Sequence, residues 1–405
     1  MFNRFWLGYS VSQFGDRISE LALPLIAIIV LHGDAGQTAL VVALIWLPNV
    51  LSPVVGAWAD TFRHKRRLMV GADLLRFAAL LSLPLAYLFG EVGIWQLYLV
   101  AVLTGLGQMV FDVSYPAFFV SLVPRESYIA ANSKLNTSRS ASFVLGPAAG
   151  GALIQLLSAP AAVLVDAVSF ICSAVVVGRL KVLDAEPAQD SASSLRARLS
   201  AGLHFIMRHR IIRASLACST TINFFMFLAQ ALVLLFASRS LGLSAAVIGV
   251  SLGVGAVGGL LGAVLANKLV AGIGLGRTIV LGAILYPAPV ALLVVAHGPH
   301  LMSAVLLGAT ELLSGMGVMM FDIANNSLKA ALIPDDLRSR TAGAYNAVNY
   351  GIRPLGALTG GWLGTVLGLR PTLAIAAVGG VLGCLWLLSS PIPGVAELPS
   401  PSTAG

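Results

Sequence analysis

Apolar runs of about 20 residues recur along the whole chain, separated by short polar breaks or by Gly and Pro. Six fall at about 5–31, 37–59, 67–90, 94–122, 135–157 and 160–180, and six more at about 211–238, 244–267, 277–297, 300–329, 341–367 and 370–390. A helix rises 1.5 Å per residue, so about 20 residues cross the roughly 30 Å hydrocarbon core of a bilayer. The pattern predicts an all-α membrane protein of twelve transmembrane helices in two pseudo-symmetric six-helix bundles. One long polar stretch, 181–213, interrupts it. There Leu195, Leu199, Leu203 and Ile206 stand at helical spacing among arginines, which predicts an amphipathic helix on the membrane surface. The expected organisation is an N-terminal bundle over 1–180, a cytoplasmic linker over 181–210, a C-terminal bundle over 211–392 and a flexible tail over 393–405.

The two halves echo one another. TGLGQMVFDVSYPAFFVSLVP from Thr104 returns as SGMGVMMFDIANNSLKAALIP from Ser314, 210 residues later, and the same offset aligns LGPAAGGAL (Leu145–Leu153) with LGALTGGWL (Leu355–Leu363). A register held this long marks a six-span unit used twice. Parallel repeats of this kind are a transporter architecture, with alternating access by rocking one half on the other.

Composition agrees with the pattern. Of 405 residues, 58% are hydrophobic and 10% charged, against about 25% charged in soluble domains. The net charge of +8 sits in loops that share one side if the spans alternate. The positive-inside rule then places both termini and the linker in the cytoplasm, and the placement of charge argues against nucleic acid as a partner. The first apolar run has no small-residue cleavage site, so a retained span is expected rather than a signal peptide. Cys172, Cys218 and Cys384 lie far apart in apolar runs and predict no disulfide framework. No histidine cluster has metal-ligand spacing and no phosphate-binding Gly-x-x-x-x-Gly-Lys-Ser/Thr loop is present, so no cofactor is expected.

GAWADTFRHKRR (Gly56–Arg67), between spans two and three, resembles the loop signature of the major facilitator superfamily: Gly56 and Asp60 match, Thr61 stands where a basic residue is usual, and Arg66 and Arg67 keep the basic character. VGADLLR (Val70–Arg76, with Asp73), SLVPRESYIAANSKLNTSRS (Ser121–Ser140) and VLVDAVSF (Val163–Phe170) are similar to the branch that includes the enterobactin exporter and the macrolide-efflux proteins. The resemblance implies export of a drug, antibiotic or secondary metabolite by proton antiport, in a monomer. GPAAGG (Gly146, Pro147, Gly150, Gly151) resembles the antiporter motif of span five, although no Arg-x-x-x-Gly stands in span four. Physically, Gly56 would let span two approach a neighbour closely, and Asp60 at a helix end would be held by a cation or a helix N-terminus. That contact is a latch whose breaking opens a gate; the alternative is a basic loop that only sets topology.

Charges inside spans carry the chemistry, because each costs several kcal/mol in lipid and must face water, substrate or a partner. Asp16 and Glu20, four apart on one helix face, with Arg17 beside them, are the proton-coupling candidates, and Asp16 is the favoured carrier; an internal ion pair with Arg17 is the alternative. Glu311 has no acidic counterpart in the first half and is a further candidate. Asp112 and Asp322 are repeat-related and read as gate braces, with Arg139 and Arg353 as possible partners. Asp166, Asn223, Phe224, Tyr345, Asn349 and Arg353 are candidates to line a substrate cavity. The leading expectation is an exporter of a small amphiphilic compound whose partners are substrate, protons and bilayer. An uptake permease of the same fold is the alternative. A lipid-modifying membrane enzyme would need a catalytic constellation that the sequence does not display.

Overall fold

The computed structural model describes residues 1–62, 64–180 and 195–397. The linker residues 181–194, the tail from 398 and the side chain of the expected latch residue Asp60 lie outside the described residues. The described chain is helical throughout, with no strand among its residues. Ten helices are long and apolar enough to cross a membrane. Two further long helices, α1 (Phe2–Leu25) and α14 (Asp335–Val366), fall below that measure because polar and charged residues interrupt their apolar runs. Together they make the twelve-helix plan.

The first unit comprises 1–192 with Ser244–Gly253, and the second Ser193–Leu243 with 254–405. In the first, α1 packs on α6 (Tyr128–Leu157) and α7 (Ala159–Arg179), and α4 (Lys65–Leu88) on α5 (Ile94–Leu122) and α7; α2 (Ala35–Trp46) and α3 (Ser52–Thr61) lie along α5. In the second, α9 (Arg210–Leu235) packs on α14 and α15 (Leu369–Leu382), and α11 (Leu275–Leu285) on α13 (His300–Leu332). The linker helix α8 (Leu195–Arg208) rests on α14 and α9. Between the α9 and α11 spans runs α10 (Ala245–Ile273).

The 210-residue register governs fine structure as well as sequence. Both α1 and α9 end in a π turn, Ile26–Val30 and Phe236–Ser240. Asp34 starts α2 with a capping box, its carboxylate accepting from Gln37 N, and Ser244 accepts from Val247 N before α10. Small residues set the helix contacts in both units. A Cβ on Gly105 would meet the backbone of Ile45, and one on Gly315 that of Gly255; Gly150 faces Ile18 and Gly360 faces Leu228. Each of these partners is also 210 residues from its counterpart. The GPAAGG motif thus packs α6 onto α1: Gly146 abuts the Arg17 stem, and Gly151 meets Gly249 within the same unit. Among the described residues the expected close approach at Gly56 is not seen, since a Cβ there would come nearest Val113, at 3.9 Å.

Candidate functional site

In the first unit four helices bring their polar residues to one place. Arg76 on α4 is 2% exposed. Its Nη2 donates to Asp73 Oδ1 at 2.5 Å and its Nη1 to Gln108 Oε1 at 2.6 Å, while Asp16 Oδ1 on α1 lies at 3.4 Å. The guanidinium lies over Phe170 at 4.0 Å and near Phe111 at 5.2 Å. Gln108 then donates to Asp112 Oδ2 at 3.0 Å, one turn along α5. Spacing explains the assembly: Asp73 and Arg76 are three apart and Gln108 and Asp112 four apart, each pair on a single helix face. Gly107 lets α5 reach α4, because a Cβ there would meet the Arg76 stem at 2.5 Å.

The two ion pairs of Arg76 differ in kind. Asp73 is fully buried and close, whereas Asp16 is 13% exposed and 0.9 Å further off. Asp16 also accepts a long bond from Gln13 at 3.5 Å. Protonating Asp16 would break two weak contacts and leave Arg76 held by Asp73 and Gln108. Protonating Asp73 would break a short buried pair.

One turn along α1, Arg17 donates to Glu20 at 2.5 Å and lies 4.2 Å over the Phe143 ring of α6. Of the two internal pairings open for Arg17, Glu20 is the partner. Asp166, expected in a substrate cavity, is 1% exposed and accepts from Ser19 and Ser169. It fills the space that Gly15 leaves at the α1–α7 contact, so it braces that contact instead. Asp112 takes its hydrogen bond from Gln108, and no ion pair joins it to Arg139 among the described residues; Arg139 lies nearest the Phe143 ring. At the start of α4, Lys65 Nζ donates to Ala59 O at 2.5 Å and Arg66 to Leu180 O at 2.6 Å, while Arg67 is exposed. These cations close the carboxyl ends of α3 and α7, where helix carbonyls lack partners.

The second unit is built differently. A cavity of about 430 Å³ opens among α9, α11, α13 and α14. Asn223, Tyr345, Asn349 and Arg353 line it as expected, together with Asp322. Phe224 does not. It stands about 100° round α9 from Asn223, its ring on Phe225 and its backbone under Gly356, and Phe227 lines the cavity in its place. Tyr345 is anchored by its hydroxyl, which is bonded to Ser219 at 2.6 Å and Ser215 at 3.1 Å, with Asn325 Nδ2 donating at 3.4 Å. Lys329 lies 3.9 Å over the Tyr345 ring, and Arg353 lies 4.9 Å over Phe227 and 4.5 Å over Tyr350. Glu311 is outside this cavity; it packs against Gly255 of α10.

Gln108, Phe143 and Lys329 escaped the sequence reading, and Phe227 was passed over for Phe224. Setting the halves side by side would have exposed three of them. Arg17 corresponds to Phe227 and Phe143 to Arg353, so both units hold the same cation–ring pair with donor and acceptor helices exchanged. Lys329 corresponds to Phe119.

Comparison with known proteins is consistent with this architecture. The multidrug efflux pump Tap of Mycobacterium tuberculosis is 26% identical over 394 residues, covering 95% of this chain and 91% of that one. Macrolide efflux protein A of Streptococcus pyogenes is 24% identical over 183 residues, 45% of this chain and 44% of that one. Among solved structures, a bacterial homologue of the iron transporter ferroportin in its inward-facing state superposes with a TM-score of 0.76 at 21% identity, over 96% of this chain and 97% of that one. The nucleoside transporter NupG gives 0.72 at 13% identity, over 95% and 98%. At such identities the structural likeness establishes the fold. The Major Facilitator Superfamily model matches residues 5–357 and 216–403. The chain is a multi-pass membrane transport protein, not an enzyme, and it belongs to the Major Facilitator Superfamily.

Proposed function

We propose that the protein is a secondary active exporter of a small amphiphilic organic compound, driven by proton antiport through alternating access. It would act as a monomer in the bacterial inner membrane, with both termini cytoplasmic. The observation that carries this reading is the carboxylate cluster of the first unit. Asp16 and Asp73 pair with Arg76, Asp112 is linked to it through Gln108, and Asp166 is sealed nearby; with the Arg17–Glu20 pair counted, carboxylates still outnumber the cations. In a low-dielectric interior such an excess is balanced by bound protons. Asp16 has the looser hold on Arg76 and the greater exposure, which makes it the proton carrier in this reading. Glu20, paired with Arg17, and Glu311 in the second unit are the reserve positions. The loop from Gly56 to Arg67, with Asp60, serves as the latch of the closed state. The names of Tap and macrolide efflux protein A favour export over uptake.

The test is proton movement. Wild type and Asp16→Asn are reconstituted in liposomes with a trapped pH dye and challenged with a panel of drugs and secondary metabolites. The reading expects dye response in wild type and its loss in the variant, with compound binding retained. Equal responses in both would transfer the carrier role to Glu20 or Glu311. Compound movement without any dye response would rule out antiport.

A further inference from the structure

We infer that the cavity of the second unit is a subsite for an organic monoanion, whose acidic group is taken between Lys329 and Arg353. This deepens the exporter reading and rests on it for the claim that the bound compound is cargo. Volume is the first argument: about 430 Å³ lies in the range that holds a small organic molecule.

Charge is the second. Three charged side chains line the cavity, Lys329, Arg353 and Asp322, which leaves one net positive charge. Asp322 and Lys329 are two turns apart on α13, on one face. Among the described residues no carboxylate lies within 4.0 Å of the Lys329 ammonium, and no hydrogen-bond acceptor is in reach of it. It rests on the face of Tyr345, whose hydroxyl is fixed by three side chains. A ring face compensates a cation only partly, and an ammonium in such a place is stabilised most by an anion brought to it. Arg353 adds a guanidinium set against two rings, a geometry that suits carboxylate or phosphate oxygens.

A third, independent observation concerns neutral groups. Asn349 Oδ1 is buried with no hydrogen-bond partner, and Asn223 lines the same space. Neither amide carries a charge, so neither competes with Lys329 and Arg353 for the acidic group of the cargo. Phe227, Tyr286 and Phe321 supply the apolar wall for the rest of it. The first unit has no such place: Phe119 and Phe143 stand at the positions of Lys329 and Arg353.

The experiment measures binding to the detergent-purified wild-type protein, without any gradient, for four probes of one shape: 1-naphthylacetate, 1-naphthyl phosphate, 1-naphthylacetamide and 1-naphthylmethylamine. The acid or the phosphate should bind at least about tenfold more tightly than the amide, and the amine most weakly. The two anions separate carboxylate from phosphate recognition. Lys329→Met and Arg353→Met should each erase the preference while leaving amide binding in place, and Lys329→Arg should keep it. Amine binding equal to that of the anions, no binding of any probe, or an unchanged preference in both methionine variants would overturn the subsite. The wild-type comparison stands even if a variant fails to fold. Anion binding without proton movement in the liposome assay would keep the subsite and end the antiport reading; proton movement driven by cations alone, with no anion bound, would do the reverse.

Discussion

In the first unit the volume between α1, α5 and α6 is filled with rings: Phe5, Tyr9, Tyr115 and Phe119 stack at centroid distances between 5.7 and 6.1 Å. Shifted by 210 residues, the same positions in the second unit hold Ser215, Ser219, Asn325 and Lys329. Short polar groups do not fill the space, and a cavity results. Ionic content runs the other way. Asp16, Asp73, Arg76 and Asp166 are replaced by Met226, Ala283, Tyr286 and Ala376. One backbone plan therefore supports two interiors, one closed around a charge cluster and one open around a polar cavity. Duplication preserved the small-residue contacts that hold helices together and released the positions that face inward.

The largest effect should separate Arg76 from its counterpart Tyr286. Arg76→Met leaves Asp73 as a buried charge without its partner, which should cost about 3–5 kcal/mol in SDS-titrated unfolding. Tyr286→Phe removes a hydroxyl from a cavity wall and should cost less than about 1 kcal/mol. Equal losses would mean that the cluster is no more structural than the cavity.

A smaller contrast lies at Gly107 and Gly317, again counterparts. A methyl on Gly107 meets the Arg76 side-chain stem, with the backbone oxygen of Ala72 at 3.0 Å, whereas one on Gly317 meets the backbone of both Leu285 and Tyr286. Gly317→Ala should cost about 1–3 kcal/mol, as overpacking against an unyielding backbone does, and Gly107→Ala clearly less. The reverse order in a melting comparison would show that α4 is the stiffer neighbour.

Much of this was legible before the structure. The spans and the repeat follow from apolar run length, and the need of Asp16 for a polar partner follows from the cost of charge in lipid; both act locally along the chain. Asp73 and Arg76 were visible as residues of one motif but not as the partners of Asp16, because that meeting depends on α1 and α4 converging on α5 and α7. Phe224 and Phe227 belong to a run of four aromatic and methionine residues whose helix phase stays undecided until a neighbour is placed. Asp166 reads as a cavity residue only while Ser19 and Ser169 are unplaced. Residues whose role is set by periodicity can be read from sequence; residues whose role is set by which helix stands opposite cannot.

Turns between spans repeat too, with one departure. Ser158 before α7 has φ 105° and ψ 158°, a region that glycine alone occupies easily, and its counterpart Gly368 has φ 88°. Ser158→Gly should therefore stabilise the first unit by about 1 kcal/mol, read as a higher melting temperature with transport unchanged. A lower melting temperature would mean that the serine side chain contributes more than its backbone strain costs.

The smallest effect belongs to the start of α9, which has a side-chain cap that its counterpart α1 lacks. Met1 precedes α1 without a side-chain cap, whereas His209 precedes α9 and its Nδ1 accepts from Ile212 N at 3.4 Å. Accepting requires the neutral ring, and burial lowers the pKa of His209 below its ordinary 6.5. The unfolded chain then binds this proton more readily than the folded one, so the contribution is complete above about pH 6.5 and is lost as pH falls through the lowered folded value. His209→Asn keeps a capping acceptor that does not titrate. Between pH 8 and 5 the melting temperature of wild type should fall relative to that of the variant by a degree or so, roughly what a few tenths of a kcal/mol represent. Parallel curves would mean that α8 and α14, not this cap, hold the start of α9.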